Sequence, residues 1–81
     1  MMYLVKITIG LKEGMLDPEA MAISHALRNL GFATDDLKTK RLYIIRFDAA
    51  NAPEAEEKAR AMCERLLANP VIHHYEIEVH R

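Results

Sequence analysis

The chain has 81 residues, a formal net charge of −1 and a single cysteine, Cys63. A near-neutral balance gives no general pull toward nucleic acid or an anionic membrane surface, and one cysteine excludes an internal disulfide framework. A domain of this length buries only roughly 60–65% of its unfolded surface, so a metal or a partner chain is the remaining source of added stability.

The segment Met1 to Lys6 has no basic flank followed by an apolar stretch, so it does not read as a secretory signal. No apolar run approaches the ~20 residues of a membrane span. The expected compartment is the cytoplasm. Tyr3, Val5, Ile7 and Ile9 alternate with Leu4, Lys6 and Thr8, the pattern of a strand with one apolar face. Leu11 to Pro18 then forms a joint. Gly14 permits a turn, and Asp17-Pro18 opens a helix as N-cap and first helical residue. The helix runs from Pro18 to Leu30, with Ala22, Ile23, Ala26, Leu27 and Leu30 on one face. Gly31 stands where a helix terminates.

Phe32 to Thr39 is expected as a short or irregular strand, with Lys40-Arg41 as the turn into a second, stronger strand over Leu42 to Asp48. Asn51-Ala52-Pro53 opens the second helix. Glu54, Glu56 and Glu57 lie in its first turns, where the helix dipole favours negative charge. Its apolar stripe is Ala55, Ala59, Met62, Cys63, Leu66 and Leu67. Asn69 suits the left-handed conformation that closes a helix, and Pro70 forbids continuation. An alternating strand follows from Val71, with Val71, His73, Tyr75, Ile77 and Val79 on one face.

The expected architecture is α+β: one domain over residues 1–81, two layers, in the order βαββαβ. Two helices cover one face of an antiparallel sheet in a ferredoxin-like arrangement. The strand from Leu42 to Asp48 is apolar on both faces, with Leu42 and Ile44 pointing one way and Tyr43, Ile45 and Phe47 the other. A strand of that kind is covered on both sides. One copy supplies helices for one side only, so Leu42, Tyr43, Ile44, Ile45 and Phe47 are the expected oligomer interface.

No catalytic constellation emerges. Cys63 lies in an apolar helical stripe with no histidine one turn away, and reads as a small buried hydrophobe. His73 and His74 point to opposite faces. His74, Glu76 and His80 share a face and are Zn²⁺-compatible donors, but alternating charge on a terminal strand reads as a solvated edge. Glu13, Asp17 and Glu19 surround the first joint, where capping already explains Asp17. Gly10 and Gly14 fit no phosphate-binding loop. Tyr43 and Phe47 lack the basic surround that nucleic-acid stacking needs. No catalytic, cofactor or metal residue is therefore expected, and the chain reads as an interaction protein.

Three segments resemble the PurS family, the small subunit of formylglycinamidine ribonucleotide synthase in purine biosynthesis. They are Leu11, Lys12, Gly14, Leu16, Asp17 and Pro18; then Ala26, Leu27, Leu30 and Gly31; then Cys63, Leu66, Leu67, Asn69, Pro70 and Ile72. Their order and the chain length also fit. Ala20 and His73 depart from the family pattern, and Lys40-Arg41 stands where many members carry Gly-Lys. The resemblance implies a non-catalytic subunit, self-associated as a dimer or tetramer. It would join a large ATP-using synthase subunit (PurL) to a glutaminase subunit (PurQ), in a complex using ATP, Mg²⁺ and glutamine. On this reading Lys12, Glu13, Gly14 and Asp17 are candidates for partner docking, and Gly31, Asn69 and Pro70 are structural joints. The competing expectation is a free-standing ACT-like module binding a small molecule near Gly14.

Overall fold

The computed structural model describes residues 1–81. It contains β1 (Met2–Leu11), α1 (Pro18–Asn29), β2 (Lys40–Asp48), α2 (Ala52–Met62) and β3 (His73–His80), with a π-helical turn (Cys63–Leu67) continuing α2. The three strands form one antiparallel sheet in the order β2-β1-β3. Val5 stands opposite Ile45 on one side and Val79 on the other, and Ile7 opposite Tyr43 and Ile77. This register gathers every odd-numbered apolar residue of the three strands on one face. Period-two alternation makes that inevitable once the strands pair in this register.

α2 covers that face, packing on β1 and β3. Val5, Ile7 and Ile9 meet Ala59, Cys63 and Ala68, with Tyr43, Ile45, Tyr75 and Ile77 around them. Tyr3, Ala49 and Ala55 form a smaller continuation. Small residues on α2 let the helix approach the sheet closely. Its start is held by Asn51, whose Oδ1 accepts from the Glu54 N–H at 2.9 Å, while Glu54 Oε2 accepts from the Ala50 N–H at 3.0 Å.

The α+β class and the antiparallel sheet agree with the sequence reading, but four details differ. Phe32 to Thr39 forms no strand, and Lys40-Arg41 is no turn: these two residues begin β2, opposite Gly10 and Ile9. Asp35 and Asp36 interrupt any apolar alternation, and the segment instead runs back along α1. There Thr34 Oγ1 lies 3.3 Å from Ser24 Oγ, and Thr39 Oγ1 donates to Asp17 Oδ2 at 2.8 Å.

Second, α1 does not join α2 over the sheet. It has no extensive packing with any strand or with α2, and only Ala20 is buried along it. α1 and its return segment form an arm, and the molecule measures 51 × 25 × 16 Å.

Third, Asn69 does not adopt positive φ; Gly14 and Gly31 alone do. The helix end widens into the π turn, closed by Ala68 N–H donating to Cys63 O at 2.9 Å. Asn69 instead starts a turn through its side chain, with Oδ1 accepting from the Val71 N–H at 3.0 Å. The same widening changes the helical phase. Met62 and Leu67 are half-buried, but Leu66, expected in the core stripe, is 83% exposed. Fourth, β3 starts at His73, and Val71 lies in the preceding turn.

Candidate functional site

The two joints meet in space. The Lys12 N–H donates to Ile72 O at 2.8 Å, and Lys12 Nζ donates to Pro70 O at 2.7 Å. The strand ending at Leu11 therefore carries the Asn69-Pro70 turn directly beside it, through two bonds from one residue. Asn69 tightens that turn further. Its N–H donates to His73 Nδ1 at 2.9 Å, and its carbonyl accepts from Ile72 and His73.

On the other side of the loop, Asp17 caps the start of α1. Oδ1 accepts from the Ala20 N–H at 3.0 Å, and Oδ2 takes the Thr39 hydroxyl. The Ala20 bond above all, then the Thr39 hydroxyl, holds the Asp17 carboxyl below its ordinary pKa. Between these anchors the chain turns through Gly14 at φ +86°, where a side chain would be strained. Glu13, Met15 and Leu16 are exposed at the tip, Leu16 by 72%.

The loop borders a cleft of about 590 Å³ whose other wall is Asp36 to Lys40. Its charged lining is mixed: Lys12, Lys38 and Lys40 face Glu13, Asp17 and Asp36. No single ligand charge satisfies such a wall, which suits a polar protein contact better than an anionic metabolite. All four docking candidates line this cleft, but they divide by role. Lys12 and Asp17 are spent on internal bonds, leaving Glu13 and Gly14 accessible. Met15 and Leu16, the apolar tip, were not among the docking candidates read from the sequence, because two apolar residues in a loop carry no periodic signal.

The five expected interface residues divide as their alternation dictates. Tyr43, Ile45 and Phe47 are half-buried against the α2-side core. Leu42 and Ile44 stand on the uncovered face, 54% and 58% exposed. β2 pairs only with β1, so its outer edge is open.

Cys63 is fully buried, and that burial pushes its thiol pKa up, so it stays protonated and unreactive near neutrality. His74, Glu76 and His80 share the bare face without converging on one point in space with any third donor. Gly31 ends α1 as expected. It sits at φ +96°, its N–H donates to Arg28 O and the Phe32 N–H donates to Leu27 O, the bond pair of a Schellman motif. No helix is long and apolar enough to cross a membrane.

Comparison with known proteins places this geometry in context. Residues 4–81 match the sequence family described as PurS, phosphoribosylformylglycinamidine (FGAM) synthase. The chain is 41% identical over 81 residues to phosphoribosylformylglycinamidine synthase subunit PurS of Methanocaldococcus jannaschii, covering 99% of this chain and 98% of that one. The solved structure of the Methanocaldococcus jannaschii PurS superposes with a TM-score of 0.88 at 40% identity, covering 98% of this chain and 96% of that one. A chain in the structure of PurLQS from Thermotoga maritima superposes with a TM-score of 0.89 at 26% identity, covering 98% of both chains.

Proposed function

The chain belongs to the PurS family, and from that premise we propose that it is the non-catalytic small subunit of a phosphoribosylformylglycinamidine synthase, a glutamine-hydrolysing C–N ligase of purine biosynthesis. The observation that carries this reading is the near full-length likeness to a chain of the PurLQS assembly. Its partners are further copies of itself, a large ATP-using synthase subunit and a glutaminase subunit. ATP, Mg²⁺ and glutamine belong to those partners, and the setting is the cytoplasm.

The physical task follows from the reaction. Ammonia released by a glutaminase is lost or protonated once it reaches water. The two active sites must therefore be held together, and a rigid bridge does this without chemistry of its own. Two surfaces serve the bridge. A second copy covers β2 through Leu42, Tyr43, Ile44, Ile45 and Phe47, burying its exposed residues and closing its open edge. The loop from Lys12 to Asp17 docks a partner subunit, with Lys12 and Asp17 as anchors and Glu13 to Leu16 as the contact. Residues on loops held by a rigid scaffold are well suited to recognition.

Reconstitution with the two partner subunits tests both parts. Glutamine-driven turnover is expected to require this chain, whereas turnover driven by excess ammonium is expected to depend on it much less. Equal glutamine-driven turnover with and without the chain overturns the bridging role. Glu13→Lys and Leu16→Asp alter the loop tip but leave the Lys12 and Asp17 bonds in place. Both are expected to keep the oligomer and weaken the larger complex. Unchanged complex assembly by either variant moves docking to another surface.

A further inference from the structure

The Asn69 N–H ends on a ring nitrogen, not on a carbonyl. It donates to His73 Nδ1 at 2.9 Å. That nitrogen must be bare to accept, so the neutral imidazole carries its proton on Nε2. An imidazolium has a proton on both nitrogens and cannot accept this bond. One proton therefore decides whether the Asn69 N–H is satisfied. The same turn reaches the docking loop. Asn69 O accepts from the Ile72 and His73 N–H groups, and Asn69 Oδ1 from Val71. The turn so formed presents Pro70 O to Lys12 Nζ and Ile72 O to the Lys12 N–H. Lys12 is followed directly by the exposed tip, Glu13 to Leu16. From His73 to that tip every link is a hydrogen bond or a chain neighbour.

His73 is half-buried among charges of both signs. β1 sets the apolar Leu11 opposite it. A cavity of about 430 Å³ beside it is bordered by Asp17 and Glu19 at the start of α1, by Lys40 and Arg41 of β2, and by the apolar Leu67 of the π turn. Lys12 approaches through Pro70. His74 points to the other face of the sheet and lines the cleft that holds Lys12, Lys38 and Lys40. Carboxylates and cations share the surroundings of His73, so an imidazolium has no exclusive counter-ion there. What protonation changes is the loss of the acceptor, and with it the bond that closes the turn. An N–H left without a partner costs more than the bond itself contributes.

We propose that His73 is a proton-operated latch on the docking loop. The neutral ring holds the Asn69-Pro70 turn against Lys12, and protonation releases Asn69 and loosens the anchor of the loop. A histidine changes charge between about pH 5 and 8, so mild acidification weakens the contact with the partner subunit while the sheet and its core stay folded. The proposal rests on the reading that the loop from Lys12 to Asp17 docks that subunit, and adds how the contact is regulated. It also assigns different roles to the two adjacent histidines, since only His73 accepts a backbone N–H within the joint.

Two variants separate the proton from the side chain. His73→Asn keeps an acceptor, because Oδ1 takes the place of Nδ1, but does not titrate. His73→Ala removes the acceptor at every pH. NMR on the full ¹⁵N-labelled chain, titrated from about pH 8 to about pH 5, reads the latch directly. The scalar coupling between the Asn69 and His73 Nδ1 nitrogens is expected in the neutral form and lost on protonation. The protection factor of the Lys12 amide is expected to fall in the same transition. In His73→Asn it should stay high throughout, and in His73→Ala low throughout. No coupling in the neutral form, or a Lys12 amide indifferent to the transition, overturns the latch. His74→Gln is expected to leave the transition in place, and its disappearance there would move the switch to His74 and overturn the proposal. The second arm is the dissociation constant of the complex with the two partner subunits. Over the same pH range it is expected to rise about fivefold more for the wild type than for His73→Asn, the factor that one hydrogen bond of ordinary net strength supplies. An equal rise in both, with the NMR transition present, overturns regulation of docking. Failure of the docking reading shows separately, as assembly unchanged by Glu13→Lys, and removes the premise of the proposal.

Discussion

Asp17 performs two jobs with one carboxylate, since it caps α1 and receives the hydroxyl of Thr39, so it ties both ends of the arm together. Its pKa is lowered in the folded chain, as are those of Asp48, through the Met1 ammonium, and Glu54, through the Ala50 N–H. A carboxyl with a depressed folded pKa contributes stability above its unfolded value and loses it as pH falls through the folded one. The melting temperature is therefore expected to decline as pH drops below about 4, near the unfolded value of an aspartate. Asp17→Asn retains the capping oxygen but cannot titrate, so thermal melts from pH 3 to 7 should show a shallower acid decline. Asp17→Ala should lower the melt at neutral pH as well. At the centre of the sheet, Ile7 is fully buried between both neighbouring strands and α2. Ile7→Val is expected to cost about 0.5–1.5 kcal/mol and Ile7→Ala about 2–5 kcal/mol by denaturant titration. The larger loss is a large fraction of the stability of a small domain.

At the scale of elements, the two helices end in different ways, and the difference reaches the surface. α1 stops cleanly at Gly31 in the left-handed region. An alanine there must adopt a conformation its Cβ resists, so Gly31→Ala is expected to destabilise by more than about 1 kcal/mol. The loss should localise. Amide hydrogen exchange is expected to accelerate at the C-terminal turn of α1, with β1 protection nearly unchanged, because the arm has little packing on the sheet. α2 ends through a π turn instead, which exposes Leu66 and half-buries Leu67. β2 is the element least satisfied by its own chain. Its run Leu-Tyr-Ile-Ile-Arg-Phe has high β-propensity and one unpaired edge, a combination that pairs with another chain unless something covers it.

For the whole molecule, one observation follows from these local ones. The sheet is covered on one face by one helix, and the arm that would cover the rest projects away from it. An 81-residue chain so arranged buries few large side chains of its own. Folding and self-association are therefore expected to be coupled, with the melting temperature rising with protein concentration. Ile44→Asp places a carboxylate on the exposed face of β2, where no neighbour within the chain is displaced. It should shift sedimentation toward the monomer and flatten that concentration dependence. Unchanged sedimentation would remove Ile44 from the interface.

The sequence by itself determined the features whose causes lie within a few residues. These are the alternation of β1 and β3, the Asp17-Pro18 and Asn51 starts of the helices, the Gly31 stop, the apolar character of β2 and the three segments that carry the family likeness. Only the tertiary structure decided that Phe32 to Thr39 runs along α1, that α1 leaves the sheet, and that the π turn exposes Leu66. It also decided that the loop at Lys12 and the turn at Pro70 are bonded to each other across 58 positions of sequence. The reason is physical. Caps, turns and alternation act through bonds and sterics between near neighbours, and every residue involved is visible in a short window. Where an amphipathic helix settles depends on which distant surface removes its apolar stripe from water. Ile23 and Leu30 state that a partner is needed without stating which one.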